Sequence, residues 1–546
     1  MLGSTHPRYL LAFVLYCAAS VVLTWPAVRD FSSHFFSDGD DGLQTVWNFW
    51  WLRRAWEQGS SPLQTDMLYA PFGVPLLAHT LSLINTAPAA VLGAGLSLQQ
   101  VYNLAFLASF VLSGVFTFAL AWRLCGSFVG AFLSGYAFAF CAYRFAHAVG
   151  HLNLITTQWL VLFLLTWVIF LEKRTYLTAG ASALSLWLVF FGDYYYFFYA
   201  VLAGGLVFLV DWCLRGRAME VRAFAPALGF FSIAAAAPLL PFVFSIVHLS
   251  RDGFNVVHHP LDFSMDLLSP FVPGGYWRFA DHIPAWWSHF RAGPVEGSCY
   301  VGYGLLALAA LGLMTPAIAR RYRITFGVLA AFFSLVALGP NLQVAGYVSS
   351  VPMPYRLLEL IFPLLKMGGV PARLSVVSIL ACAVLAGGGL TWLLRERRWG
   401  FAAALCGLLV VESLPGPIAR TPPPIYPFAE QVAQLASNGG IMDPEGAIAP
   451  SRALYFQTIH HLPQWGGYLS RVPLALDQRS RRLGALALAG RFKRLCTDFG
   501  FRYFVYRSEA IPEKLKGVPP LAEGAGLSLF DVGEVWNCRV HPAHLK

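Results

Sequence analysis

Residues 36–51, FSDGDDGLQTVWNFWW, place three carboxylates, Asp38, Asp40 and Asp41, between the first long apolar run of the chain and a tryptophan-rich one. Acids are costly inside hydrocarbon, so this stretch belongs at the edge of a bilayer. A carboxylate held there can take the proton of an acceptor hydroxyl while a lipid-borne donor approaches from the bilayer side. The alternative is that the acids only solvate a loop, with Asp40 or Asp41 as N-cap of the next helix. A second constellation is YRFAHAVGHLN, where Arg144, His147 and His151 recur at spacings of three and four. If helical, they share one face that can hold a phosphate by an arginine fork and imidazole donors. Otherwise, they snorkel to lipid headgroups. FFGDYYYFFYA puts Asp193, Tyr194 and Tyr195 at a boundary, as an aromatic belt or as rings for sugar stacking or phosphate binding. Arg373, just before another apolar run, is a further phosphate candidate.

These residues need elements to hold them, and composition says which. The chain of 546 residues is 57% hydrophobic and only 12% charged, with mean hydropathy +0.58, whereas soluble proteins carry about 25% charged residues. It reads as a polytopic, mainly α membrane protein. The net charge of +10 does not indicate nucleic acid, because Lys and Arg cluster in short gaps between apolar runs, as a topology signal does. The nine cysteines form no CxxC pair and no zinc-ligand spacing; Cys299, Cys496 and Cys538 fall where an oxidising compartment could pair them.

The first apolar run, residues 9–27, reaches about 28 Å as a helix and lacks a cleavage-site pattern, so it is read as a retained span. Further spans fit 103–122, 127–143, 153–171, 177–192, 194–213, 223–247, 300–318, 324–340, 372–394 and 399–415, about eleven in all. Basic clusters punctuate alternate gaps: Arg123; Lys173 and Arg174; Arg215, Arg217 and Arg222; Arg320, Arg321 and Arg323; Arg395, Arg397 and Arg398. That pattern predicts an N-terminus inside and outer loops at 28–102 and 248–299. A full crossing at 77–98 would invert every later gap, so that segment is expected to be a re-entrant or surface-lying helix. Aromatics at 47, 50, 51 and 56 with Arg53 and Arg54 suggest that the helix after the acids lies in the headgroup zone. The long outer loop carries His258, His259, Asp262, Asp266, Trp286, Trp287 and Glu296, a set suited to acceptor recognition.

After residue 416 the Pro-rich TPPPIYP leads to mixed sequence. FRYFVYRS and GLSLFDVG read as strands, and SRRLGALALAGRFKRLCTDFG as an amphipathic helix ending at Gly500. The expectation is a transmembrane domain over 1–415 and an extracytoplasmic α/β domain over 416–546, with roughly 110 residues of ordered fold.

GDDGLQTVWNFWW, with Asp41 three residues before Gln44 and six before Trp47, resembles the first outer loop of bacterial GT-C-fold membrane proteins. YAPFG, YRFAHAVGHLNLITTQW, YVGYGLLAL, ALGPNLQVAG, PLLKMGGVPARL and QTIHHLPQWGGYLSR follow in the matching order over nearly the whole chain. The resemblance implies a GT-C glycosyltransferase of the bacterial cytoplasmic membrane, its C-terminal domain outside. It would move a sugar from a polyprenyl-phosphate-linked donor to a glycan, lipid or protein acceptor, inverting the anomeric carbon. Asp41 is then the candidate base and Asp40 its neighbour, although better-known relatives carry Asp-Glu where this chain has Asp-Asp. The GHLN context makes His151 the leading phosphate contact beside Arg144, His147 and Arg373, with Tyr194, Tyr195 and Glu296 as substrate contacts. No cofactor is implied; a metal would need a further converging carboxylate beside the His pair. The competing classes are a transporter or lipid flippase and a non-catalytic envelope assembly protein. Scarce mid-span charge and the lack of an inverted repeat weigh against transport.

Overall fold

The computed structural model describes residues 6–538 except 94, 216–220, 252, 256–257, 364, 429–430 and 432–438. Arg217 of the expected basic clusters therefore lies outside the described residues. The chain opens with α1 (His6–Leu23), then α2 (Asp41–Glu57), a short hairpin β1–β2 (Gln64–Thr65, Val74–Pro75), and α3 (Leu83–Leu92). A helical series follows: α4 (Leu98–Cys125), α5 (Phe128–Ala139), α6 (Ala142–His147), α7 (Leu152–Ile155), α8 (Gln158–Lys173), α9 (Tyr176–Gly192) and α10 (Tyr194–Arg215). Next come α11 (Val221–Ala236), α12 (Leu240–Ser250), α13 (Gly293–Glu296), α14 (Tyr303–Met314) and α15 (Arg320–Ala337). The hairpin β3–β4 (Asn341–Val344, Tyr347–Pro352) and α16 (Tyr355–Ile361) and α17 (Leu365–Gly368) lead to the long α18 (Ser375–Arg395) and α19 (Trp399–Glu412).

Each expected span corresponds to a helix or helix pair, but the helices differ widely in length. Among the described residues five are long and apolar enough to cross a membrane alone, and six if the pair α11–α12, bent by 49°, counts as one. A 12-residue helix such as α14 covers only about 18 Å of a core about 30 Å thick. The 77–98 segment forms the ten-residue α3, about 15 Å long, which packs on α2 and α9 and is too short to cross.

α4 is set by its termini: Ser97 and Gln100 form a capping box, and left-handed Gly126 ends the helix. α18 is the axis of the bundle, buried along most of its length against α14, α15 and α5. Its AGGG run makes this possible. A Cβ at Gly389 would run into the Leu308 carbonyl, and one at Gly312 of α14 into the Leu385 carbonyl. Small residues here let backbones approach in place of side chains. Glu412 fastens α19 to the start of α14: its carboxylate accepts the N–H groups of Tyr303 at 2.8 Å and Gly304 at 2.9 Å, where the helix dipole favours an anion.

At one end of the bundle Glu172 of α8 pairs with Arg123 of α4 and with Arg321 of α15 at 3.2 Å, while Arg8 stacks over Trp122. Members of two of the basic clusters in the sequence thus meet at one end, with Arg8 beside them. The starts of α2, α10 and α18 lie together at the other, where Arg373, just before α18, stacks on Tyr195.

The aromatic stripe of α2 packs into protein and does not lie open to headgroups as expected. Trp47 and Trp51 are buried against Met67, Leu68, Leu454 and Leu469, and Trp47 Nε1 donates to Gln457 at 2.7 Å; Trp56 alone of the four aromatics is exposed. Their cover comes from the C-terminal region: β5 (Gly440–Met442), α20 (Pro450–His460), α21 (Leu474–Leu488), α22 (Phe492–Phe499), β6 (Phe501–Arg507), β7 (Ala522–Gly524) and β8 (Leu527–Asp531). The sheet order is β5-β6-β8-β7, with β5 parallel to β6 and the other pairs antiparallel. The single amphipathic helix expected before Gly500 is two, broken at left-handed Gly490, although Gly500 is the C-cap as expected. Cys496 and Cys538 are disulfide-bonded, whereas Cys299 is a free, buried thiol.

Packing at the glycine seam gives a direct expectation. Gly389→Ala should cost about 1–3 kcal/mol through overpacking. Gly400→Ala on α19, where nothing lies within 4 Å, should leave the thermal midpoint in detergent unchanged.

Candidate functional site

Asp41 is the first residue of α2, and its carboxylate is not used as a cap; neither is that of Asp40, whose side chain makes no cap hydrogen bond. The loop before it is fixed by Gly39 at φ +89°, by Thr421 Oγ1 donating to the Ser37 carbonyl at 2.8 Å, and by Asp38 N–H donating to the Val149 carbonyl at 2.7 Å. The last bond sets the loop beside the α6–α7 connection. A Cβ at Gly150 would come within 3.1 Å of the Asp41 Cβ, so glycine there permits the approach.

Two contacts take up the Asp41 carboxylate. Oδ2 lies 2.9 Å from His151 Nε2, and Oδ1 accepts from the Tyr468 hydroxyl at 2.6 Å. The His151 hydrogen bond holds the carboxyl below the usual carboxylate range against the opposing effect of burial, and Tyr468 adds to it. Asp41 is ionised, so His151 Nε2 is the donor. Behind it His151 Nδ1 faces His147 Nδ1 at 3.2 Å, and His147 Nε2 lies 3.7 Å from Glu296. Arg373 closes the row: its Nε donates to both Glu296 oxygens at 3.0 Å and Nη2 adds a further bond. Burial alone would raise the Glu296 carboxyl, but Arg373 and His147 outweigh it and hold it at about 2.

On its far side the Arg373 guanidinium stacks 4.8 Å from the centre of the Tyr195 ring, whose hydroxyl accepts from Arg471 at 3.2 Å. Asp193 sets this ring by capping α10: it accepts the N–H groups of Tyr195 at 2.8 Å and Tyr196 at 3.1 Å, and its other oxygen accepts from Asn153 at 2.7 Å. Next to it opens a cavity of about 300 Å³ with Asp193, Tyr195 and Arg471 at its polar end and Phe190, Phe191 and Ile246 among its apolar walls. Ile246 belongs to α12, which buries none of its residues.

Seven of the nine sequence candidates bear on this row or cavity. Asp41, His147, His151, Glu296, Arg373 and Tyr195 meet directly; Tyr194 lines the cavity without touching the ions. Asp40 is exposed and accepts from Ser451 at 3.3 Å, so the choice between the two acids falls on Asp41. Arg144 is corrected outright. It is fully buried, donates to the carbonyls of Ala139 and Ile155 and to Ser109, and lies over the Phe110 ring, a strut with no free fork for a phosphate. The shared helical face also fails, because α6 ends at His147 and His151 stands just ahead of α7. Sequence reasoning missed Tyr468, although it lies within the QTIHHLPQWGGYLSR stretch that carries the resemblance.

His147, His151 and Glu296 offer ligand atoms within 4.8 Å of one another, the donor types of a His₂–carboxylate metal site, and Glu296 is the converging carboxylate the sequence pattern lacked. They fit an ion poorly as placed. Arg373 already occupies both Glu296 oxygens, and the imidazoles turn their Nδ1 atoms toward each other.

A family model described as a domain of unknown function, DUF6311, matches residues 47–411. The chain belongs to that family. No curated protein matches it. Among solved structures, this DUF6311 chain is similar to the arabinofuranosyltransferase AftD from Mycobacteria, with a TM-score of 0.57 and 14% identity over 95% of this chain. It spans only 40% of the AftD chain. It is also similar to the archaeal oligosaccharyltransferase AglB from Archaeoglobus fulgidus, solved with an inhibitory peptide and a dolichol-phosphate: TM-score 0.52, 10% identity, covering 92% of this chain and 69% of that one. These likenesses show the fold, that of the GT-C membrane proteins, and the protein is a multi-pass membrane protein.

Glu296→Gln would leave the Arg373 charge buried without its partner and should cost about 3–5 kcal/mol in thermal unfolding. Since the folded Glu296 titrates below its unfolded value, its stabilisation is complete above the unfolded carboxylate range and is lost as pH falls through about 2. The gap between wild type and variant should therefore persist at pH 4 and close near that value.

Proposed function

We propose that this protein is a membrane glycosyltransferase that moves a sugar from a polyprenyl-phosphate-linked donor to an acceptor hydroxyl on the outer face of a bacterial cytoplasmic membrane. The observation that carries the reading is the row from the ionised Asp41 to Arg373, which ends against Tyr195, Arg471 and an apolar cavity. A base, a guanidinium at the cavity and a greasy channel are what an acceptor hydroxyl, a phosphate and a prenyl tail require.

In this mechanism the donor tail enters past Ile246 and lies along Phe190 and Phe191, with its phosphate between Arg471 and Tyr195. Asp41 takes the proton as the acceptor oxygen attacks the anomeric carbon. The bond from that carbon to the phosphate oxygen breaks, its electron pair stays on the phosphate, and Arg471 offsets the growing charge. Direct attack inverts the anomeric carbon. His151 donates to one Asp41 oxygen and orients the carboxylate, and the proton that Asp41 takes up leaves to water over its half-buried side chain.

Sidedness has separate support. The basic residues gathered at the far end of the bundle suit a cytoplasmic face, and the Cys496–Cys538 disulfide suits an oxidising one for the C-terminal region. On this reading residues 1–415 form the membrane domain, and 416–546 an outer domain that supplies Tyr468 and Arg471.

Asp41→Asn should reduce transfer by about 10²–10⁴-fold with the thermal midpoint unchanged, scored by mass spectrometry of the donor lipid consumed in membranes. Full activity in that variant rules Asp41 out as base. Tyr468→Phe removes a hydrogen bond that favours the charged carboxylate, so the acid limb of the pH–rate profile should move to higher pH.

A further inference from the structure

A second cavity, of about 400 Å³, lies in the C-terminal region and plays no part in the chemistry above. Tyr426, Phe456, His460 and Trp465 line it with aromatic surface, and Asp443 and Glu445 with carboxylates. Three of the rings form one wall: Tyr426 is centred 4.6 Å from Phe456 and 5.5 Å from His460. Trp465 is held rigid, its Nε1 donating to the Ser480 carbonyl at 2.7 Å. Tyr426 is 4% exposed, and among the described residues its hydroxyl has no hydrogen-bond partner. A buried hydroxyl of this kind is costly unless something arrives to bond it.

The cavity is tied to the acidic loop twice. Gly467 on its lining directly precedes Tyr468, which donates to Asp41, and Pro450 on its lining directly precedes Ser451, which donates to Asp40. Rigid rings that can stack on a sugar face, a hydroxyl in want of a partner, and acids that accept from hydroxyls and repel anions select one chemistry.

We propose that this cavity is the acceptor subsite and that it binds an uncharged glycan, with Tyr426 and Glu445 among its hydrogen-bond partners. The proposal rests on the transferase reading and names the acceptor class for the same site. The glycan end would be steered toward Asp41 through the segment 464–468.

The test uses the full chain in nanodiscs with methyl glycosides of a neutral hexose and a neutral pentose, and a methyl uronoside as the anionic comparison, followed by saturation-transfer NMR. Saturable binding of a neutral glycoside is expected, with the uronoside weaker. Tyr426→Phe or Glu445→Gln should weaken that binding about tenfold, and Asp41→Asn should leave it unchanged. Glu445 is exposed, so its variant will fold even if Tyr426→Phe does not. No saturable neutral binding, tighter uronoside binding, or equal affinity in both variants overturns the proposal. Polyprenyl phosphate binding on the same preparation separates the two readings. Lipid bound without glycoside overturns the acceptor subsite alone; glycoside bound without lipid upholds the glycan cavity and counts against the transferase.

Discussion

The Glu296–Arg373 ion pair is the constraint on which the site depends. Both side chains are nearly buried, at 8% and 13% exposed, and two desolvated charges persist only with close geometry and further bonds to their remaining atoms. Those bonds fix the surroundings. Glu296 ends the long loop before α14, Arg373 stands at the foot of α18, and His147 is caught between the carboxylate and His151. With His147 placed, His151 extends to the start of α2 and meets Asp41 there. The glycine seam along α18 and the Glu412 cap on α14 serve the same end, since they hold still the helices that carry the pair.

Tyr195 converts this ionic row into a boundary. One face of the ring meets the Arg373 guanidinium, its hydroxyl meets Arg471, and its neighbours line the apolar cavity. Charge therefore changes to hydrocarbon within one side chain. A lipid phosphate needs that transition, whereas a solute crossing the bilayer needs polar groups along the whole path.

The sequence was most informative where the membrane dictates composition. Apolar runs and basic clusters located the helices and the end at which Arg123 and Arg321 meet, because hydrocarbon excludes charge along a contiguous stretch of chain. It misled where hydropathy has two causes: Trp47 and Trp51 read as a headgroup belt, yet they are covered by Leu454 and Leu469, because burial in protein and in lipid select the same residues. Arg144 misled for a related reason, since a guanidinium bonds carbonyls as readily as phosphate and the helix break after His147 leaves no mark in the spacing. Tyr468 and Arg471 were beyond reach as partners, because only the fold brings a segment more than 400 residues away against Asp41. Glu296 was one acid among several in a long loop until Arg373 singled it out.

The most direct test is a cryo-EM structure of the protein in nanodiscs with a polyprenyl monophosphate. The account predicts phosphate density within hydrogen-bond reach, about 3 Å, of Arg471 and Tyr195, with the tail running past Phe190 toward Ile246. A lipid phosphate lodged at the end of the bundle near Glu172, or a tail that bypasses this cavity, would contradict it.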